Sequence, residues 1–266
     1  MLRIAAVQMV SAPEVAPNLQ AAERLVSEAA QAGARLVALP EYFCLLGRGE
    51  TDKVRARERD GSGPIQDALA AMAQRNRVWL VGGTVPIACA DPERARSACL
   101  VYDDAGQRVA RYDKMHLFTF SAGGERYDEA RTIEPGDRPV VVESPFGRLG
   151  LSVCYDVRFP ELYRRFEKVD LWFVPSAFTA VTGAAHWETL LRARAIENLC
   201  YVVAPAQGGL HANGRRTHGH TMIVGPWGEV LAERAEGEGV VAADIEPGRL
   251  AEVRQSLPAL DNRRLT

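Results

Sequence analysis

Cys154 closes the apolar run 149–153 and precedes the polar, turn-prone stretch 155–161. A buried strand that hands a side chain to the start of a helix, marked here by Pro160 and Glu161, sets it among unpaired N–H groups and the positive end of the helix dipole. That setting lowers a thiol pKa and makes the sulfur a nucleophile. Glu41 stands at the end of the run Leu36-Val37-Ala38-Leu39-Pro40, at the strand end where open α/β sheets place their sites. A partly desolvated carboxylate there has the raised pKa of a general base. Lys114 follows the β-rich run 108–112 and precedes the apolar, aromatic Met115-His116-Leu117-Phe118. From such a place an ammonium can hold a developing oxyanion. Glu129, in the stretch 128–136, is a second carboxylate for the same pocket.

Taken singly, each group has a plainer reading. Glu41 is then a loop cap, Lys114 a solvated cation, Glu129 a partner for Arg126 or Arg131, and Cys154 an inert core thiol like Cys200. A cysteine–histidine pair is the other nucleophilic arrangement to weigh. None of His116, His186, His211, His218 and His220 stands out as a partner for Cys154. His218-Gly219-His220 lacks a third ligand at a metal-site spacing, and there is no GxGxxG or P-loop, so neither a metal nor a nucleotide cofactor is expected.

The elements that must position these groups follow from apolar periodicity. Continuous apolar runs at 4–10, 36–39, 78–81, 149–153, 171–174 and 201–204 predict strands buried on both faces. Between them Leu19, Ala22, Leu25, Val26 and Ala29 recur at helical spacing before Gly33, Pro64 opens a second helix, and a third is predicted from His186 to Leu199. Turn signals at 103–106 and 225–228 predict hairpins, so the sheet, or sheets, should be mixed.

The chain has 266 residues, is 47% hydrophobic and 25% charged, and carries a net charge of −2, which gives no basic face for nucleic acid. Five cysteines without a CxxC predict free thiols in a reducing compartment. With no signal peptide and no run of membrane-spanning length, the expected location is the cytoplasm, away from membranes. No linker divides the sequence, and a single domain over 1–266 is expected.

Leu39-Pro40-Glu41, Tyr112-Asp113-Lys114-Met115-His116-Leu117-Phe118 and Leu151-Ser152-Val153-Cys154-Tyr155-Asp156-Val157-Arg158-Phe159-Pro160-Glu161-Leu162 together resemble, in order and spacing, the signature segments of the nitrilase superfamily of carbon–nitrogen hydrolases. The resemblance runs from Ala5-Ala6-Val7-Gln8-Met9 to Trp227-Gly228-Glu229-Val230. It implies an α/β fold, an αββα four-layer sandwich with two mixed β-sheets, assembled as a homodimer or higher homo-oligomer. It also implies Cys154 as nucleophile, Glu41 as general base, Lys114 and the Tyr155 backbone N–H as oxyanion donors, and Glu129 as a supporting carboxylate, with no cofactor. Pro175-Ser176-Ala177-Phe178 and Arg192-Ala193-Arg194-Ala195-Ile196-Glu197 resemble the branch that acts on small ω-amides of 2-oxo acids, such as deaminated glutathione. The implied partner is therefore a small-molecule amide bearing a carboxylate. Arg126 is the candidate cation for that carboxylate, whereas Arg158 reads as a structural ion pair with Asp156 or Glu161. A nitrile or an N-carbamoyl amine is the alternative substrate for the same triad, and a silent binding scaffold the alternative of another class.

Overall fold

The computed structural model describes residues 2–122 and 125–264. Two mixed sheets dominate it. In the first, the order is Gly239–Ile245, Leu2–Gln8, Leu36–Leu39, Trp79–Gly82, Ala95–Tyr102 and Val85–Ala88, with Arg108–Asp113 also paired to Ala95–Tyr102. The strands Leu2–Gln8, Leu36–Leu39 and Trp79–Gly82 run parallel and the others antiparallel. In the second, the order is Val230–Arg234, Thr221–Val224, Tyr201–Ala204, Leu171–Phe173, Gly147–Leu151 and Val140–Ser144, with a parallel centre.

The layering follows from strand alternation, which sends successive side chains to opposite faces. Ile4, Ala6, Leu36, Ala38 and Val81 point into a core shared with Leu149, Leu151, Phe173 and Val224 of the second sheet. Ala5, Val7, Val37, Leu39 and Leu80 point the other way, onto the helices Val15–Gln31 and Pro64–Asn76. The second sheet is covered by the helices Pro160–Arg164 and Ala180–Asn198, where Tyr163 packs on Trp172 with ring centroids 4.6 Å apart. The result is the expected four-layer sandwich. Among the described residues no helix is long and apolar enough to cross a membrane.

The third helix differs from its predicted bounds. It starts at Ala180, not His186, because Thr179 caps it by accepting the Thr182 N–H. His186 therefore lies inside the helix. Ile196, an apolar residue of this helix, is 44% exposed.

Candidate active site

Each predicted group arrives from a separate strand end. Glu41 follows Leu36–Leu39, and the next residue, Tyr42, holds a φ of +56°. The chain can turn there because Gly83, at φ +58°, packs against the Pro40 carbonyl oxygen, which would lie 2.1 Å from any added Cβ. Thr84 Oγ1 accepts the Tyr42 N–H at 2.9 Å, and Gln207 Nε2 donates to the Glu41 carbonyl at 3.1 Å. Lys114 follows Arg108–Asp113; its N–H donates to Ser97 and its carbonyl accepts from Gly136. Glu129 opens the short 3-10 turn Glu129–Arg131. Cys154 follows Gly147–Leu151 by three residues, with its N–H donating to the Pro175 carbonyl at 2.9 Å. Its φ of +50° is left-handed, a conformation that costs about 1–3 kcal/mol and persists only where its surroundings impose it.

Asp156 is the chief restraint. Fully buried, it accepts from the Val153 N–H at 2.8 Å, the Tyr112 hydroxyl at 2.7 Å and the His116 N–H at 3.0 Å. One carboxylate thus fastens the segment that carries Cys154 to the segment that carries Lys114.

The side chains converge below the surface. Lys114 Nζ lies 2.8 Å from Glu41 Oε1 and 2.8 Å from Glu129 Oε2, and all three residues are buried. Glu129 also accepts from the Tyr42 hydroxyl at 2.7 Å and the Phe118 N–H at 2.9 Å. Buried charge survives only when so partnered. Burial disfavours both ions, yet the Lys114 ammonium, with Lys53 beyond it, brings the Glu129 carboxyl down to about 2. Burial likewise opposes the ammonium, but Glu129 and Glu41 hold the Lys114 pKa well above the usual lysine value. Cys154 moves the other way. Burial, and then the negative charge of Glu41, raise its thiol well above an ordinary cysteine, against a smaller lowering by Lys114.

This corrects the expectation of a thiol activated by a helix N-terminus. The residues after Cys154 form a 3-10 turn, Cys154–Arg158, before the helix Pro160–Arg164 begins. Burial beside a carboxylate outweighs that short turn and favours the protonated thiol. The Tyr155 N–H has no protein acceptor among the described residues, as an oxyanion donor requires.

A cavity of about 240 Å³ opens onto this cluster, and Glu41, Lys114, Glu129 and Cys154 all line it. The surrounding wall carries Lys53, Arg126, Arg158 and Arg215. Segment 119–128, whose positions 123 and 124 lie outside the described residues, contributes the hairpin of Thr119–Ala122 with Glu125–Asp128. Among the described residues no group of three or more His, Cys, Asp or Glu side chains is disposed to hold a metal ion.

The sequence profile of the carbon–nitrogen hydrolase family matches residues 3–255. The chain belongs to that family. A deaminated glutathione amidase of Synechocystis is 46% identical to this hydrolase, with 97% of each chain covered. An omega-amidase of Xenopus tropicalis is 36% identical, over 98% of this chain and 95% of its own. Among solved structures, a nitrilase-superfamily member from Saccharomyces cerevisiae superposes with a TM-score of 0.89 at 27% identity, covering 99% of this chain and 97% of its own. The protein is thus a hydrolase of carbon–nitrogen bonds other than peptide bonds, built on the nitrilase sandwich.

Two cations of the hydrolase sit differently from their sequence reading. Arg158 forms no ion pair with Asp156 or Glu161 among the described residues. Asp156 is committed to Val153, Tyr112 and His116, and the Arg158 guanidinium instead lies 5.6 Å from the Tyr155 ring centroid and 5.3 Å from that of Phe178. Arg126 lines the cavity, but from its exposed rim. Glu129 is paired with neither Arg126 nor Arg131; Lys114 and Tyr42 hold it. Sequence reasoning missed Tyr42, Lys53, Gln207 and Arg215. Tyr42 alone left a signal, as the residue next to Glu41.

Proposed function

We propose that this hydrolase is an amidase that cleaves the ω-amide of a small carboxylate-bearing substrate, deaminated glutathione or a similar 2-oxo acid ω-amide, to a carboxylate and the departing amine, which is cysteinylglycine from deaminated glutathione and ammonia from a primary amide. The observation that carries the reading is the Lys114 ammonium, shared at 2.8 Å between Glu41 and Glu129 in the cavity that also exposes Cys154. Glu41 takes the thiol proton as Cys154 Sγ attacks the amide carbon. The carbonyl oxygen becomes an oxyanion held by Lys114 and the Tyr155 N–H. Glu41 returns the proton to the amide nitrogen, the C–N bond breaks, the amine (ammonia from a primary amide) leaves and a thioester remains. Glu41 then deprotonates a water molecule, which attacks the thioester. The C–S bond breaks, the acid is released and the sulfur regains its proton. Glu129 keeps Lys114 charged and in place throughout, and the cationic wall receives the substrate carboxylate, with Arg126 at the rim. The whole chain, 1–266, works as one catalytic domain, in the cytoplasm, as a homodimer or higher homo-oligomer.

The test is hydrolysis of deaminated glutathione, read as cysteinylglycine release, beside ammonia release from 2-oxoglutaramate, an aliphatic nitrile and an N-carbamoyl amine, with Cys154→Ala as the blank. The two 2-oxo acid amides should lead the panel and Cys154→Ala should release nothing above background. Preference for the nitrile or the carbamoyl amine would overturn the substrate class. Undiminished turnover by Cys154→Ala would overturn the mechanism.

A further inference from the structure

Five cations besides Lys114 line the cavity wall; Arg48 is paired with Glu14 at 3.3 Å, and the other four are not equivalent. Arg126 is exposed at the rim. Arg158 is occupied by the Tyr155 and Phe178 rings and lies 3.2 Å from His186 Nδ1. Lys53 sits 5.4 Å from the Tyr42 ring centroid, near the Glu129 charge. Arg215 differs from all three. Its guanidinium stacks 5.2 Å from the Tyr127 ring centroid, and Nη2 donates to the Ala177 carbonyl at 3.1 Å. Its Nε is buried and, among the described residues, has no hydrogen-bond acceptor, and no carboxylate lies within ion-pair distance of the group.

Three features make this a built site. The backbone of Arg215 is fixed, since its N–H donates to Asn213 Oδ1 at 2.9 Å and Asn213 Nδ2 donates to the Gly47 carbonyl at 2.7 Å. The side chain is held by Tyr127 on one side and Ala177 on the other, and its Nη1 has no hydrogen-bond partner among the described residues, which leaves that edge for an anionic acceptor. Ala177 and Cys154 line the same cavity, which places the guanidinium within one small molecule's reach of the sulfur.

Resting on the amidase reading above, we propose that Arg215, not Arg126, is the anchor for the substrate carboxylate and sets the preference for acidic over neutral amides. A carboxylate seated there leaves the far amide to reach Cys154, which favours short ω-amides of dicarboxylic acids. Lys53 adds a second positive charge on the same wall.

The experiment compares wild type, Arg215→Gln and Arg126→Gln in two ways. The first is the ratio of kcat/KM for 2-oxoglutaramate to that for butyramide, a neutral amide. The second is calorimetric binding of glutarate, which needs no turnover. Arg215→Gln should lower the ratio and weaken glutarate by about tenfold or more, as loss of a charged contact does, while Arg126→Gln moves both far less. Arg215→Lys should restore part of the binding. Equal losses on both amides by Arg215→Gln, or the larger collapse in Arg126→Gln, would overturn the assignment. Wild type that binds glutarate through Arg215 yet hydrolyses neither amide would instead sink the amidase reading and leave the anchor standing.

Discussion

The floor of the cavity and its wall carry charge in opposite ways. On the floor, Glu41, Lys114 and Glu129 are buried, and each meets an opposite charge at 2.8 Å. On the wall, Arg48 pairs with Glu14 at 3.3 Å, but Lys53, Arg126, Arg158 and Arg215 are partly or fully exposed, and none of these four lies within ion-pair distance of a carboxylate among the described residues. The floor is complete without a substrate; its electrostatics are fixed in advance, which is the arrangement that stabilises developing charge with little reorganisation. On the proposed mechanism the wall is complete only when an anion arrives, the first region governs the chemistry and the second the choice of molecule.

The contrast breaks most severely at Lys114. Lys114→Met leaves Glu41 and Glu129 buried with no cation between them and removes an oxyanion donor. A loss in kcat of about a hundred- to a thousandfold is expected, along with destabilisation of about 3 kcal/mol or more, read by ammonia release and urea denaturation. A variant that kept normal kcat would show that the lysine is structural alone.

A smaller effect is expected at Glu129, and it is pH-dependent. Its carboxyl titrates near 2 in the folded protein against 4.5 ordinarily, so the unfolded chain binds more protons between those values. The stability that Glu129 contributes is therefore present above about 4.5 and lost as pH falls toward about 2. Glu129→Gln should be less stable at neutral pH and should flatten that acid limb, as followed by thermal unfolding across pH. An unchanged acid limb would mean that other carboxylates carry it.

The same division marks what could be read from the sequence. Glu41, Lys114 and Cys154 each stand where an apolar or β-rich run ends, and strand ends are local features that periodicity exposes. Strands of both sheets were legible for the same reason, since runs such as Leu36–Leu39 and Tyr201–Ala204 are apolar throughout, whereas their division into two stacked sheets followed only from the family resemblance. Arg215 was not legible. It lies in a polar turn between Gly208–Leu210 and Arg216–His218, and only long-range packing brings it to Tyr127 and Ala177. The true start of the last long helix was hidden by Gly183, which reads as a breaker. The glycine is there because the His218 ring packs so closely that an added Cβ would lie 2.2 Å from it. The direction of the Cys154 pKa was misread because burial beside Glu41 depends on three strands meeting, not on the residues next to the sulfur.

That last point can be measured directly. If Cys154 rests as a thiol and Glu41 is its base, the rate of Cys154 alkylation by iodoacetamide at neutral pH should fall about a hundredfold or more in Glu41→Gln, measured by mass spectrometry of the labelled peptide. If the sulfur were instead a preformed thiolate paired with Lys114, removing the negative charge of Glu41 would leave labelling as fast as in wild type or faster. That result would contradict a neutral thiol activated by Glu41.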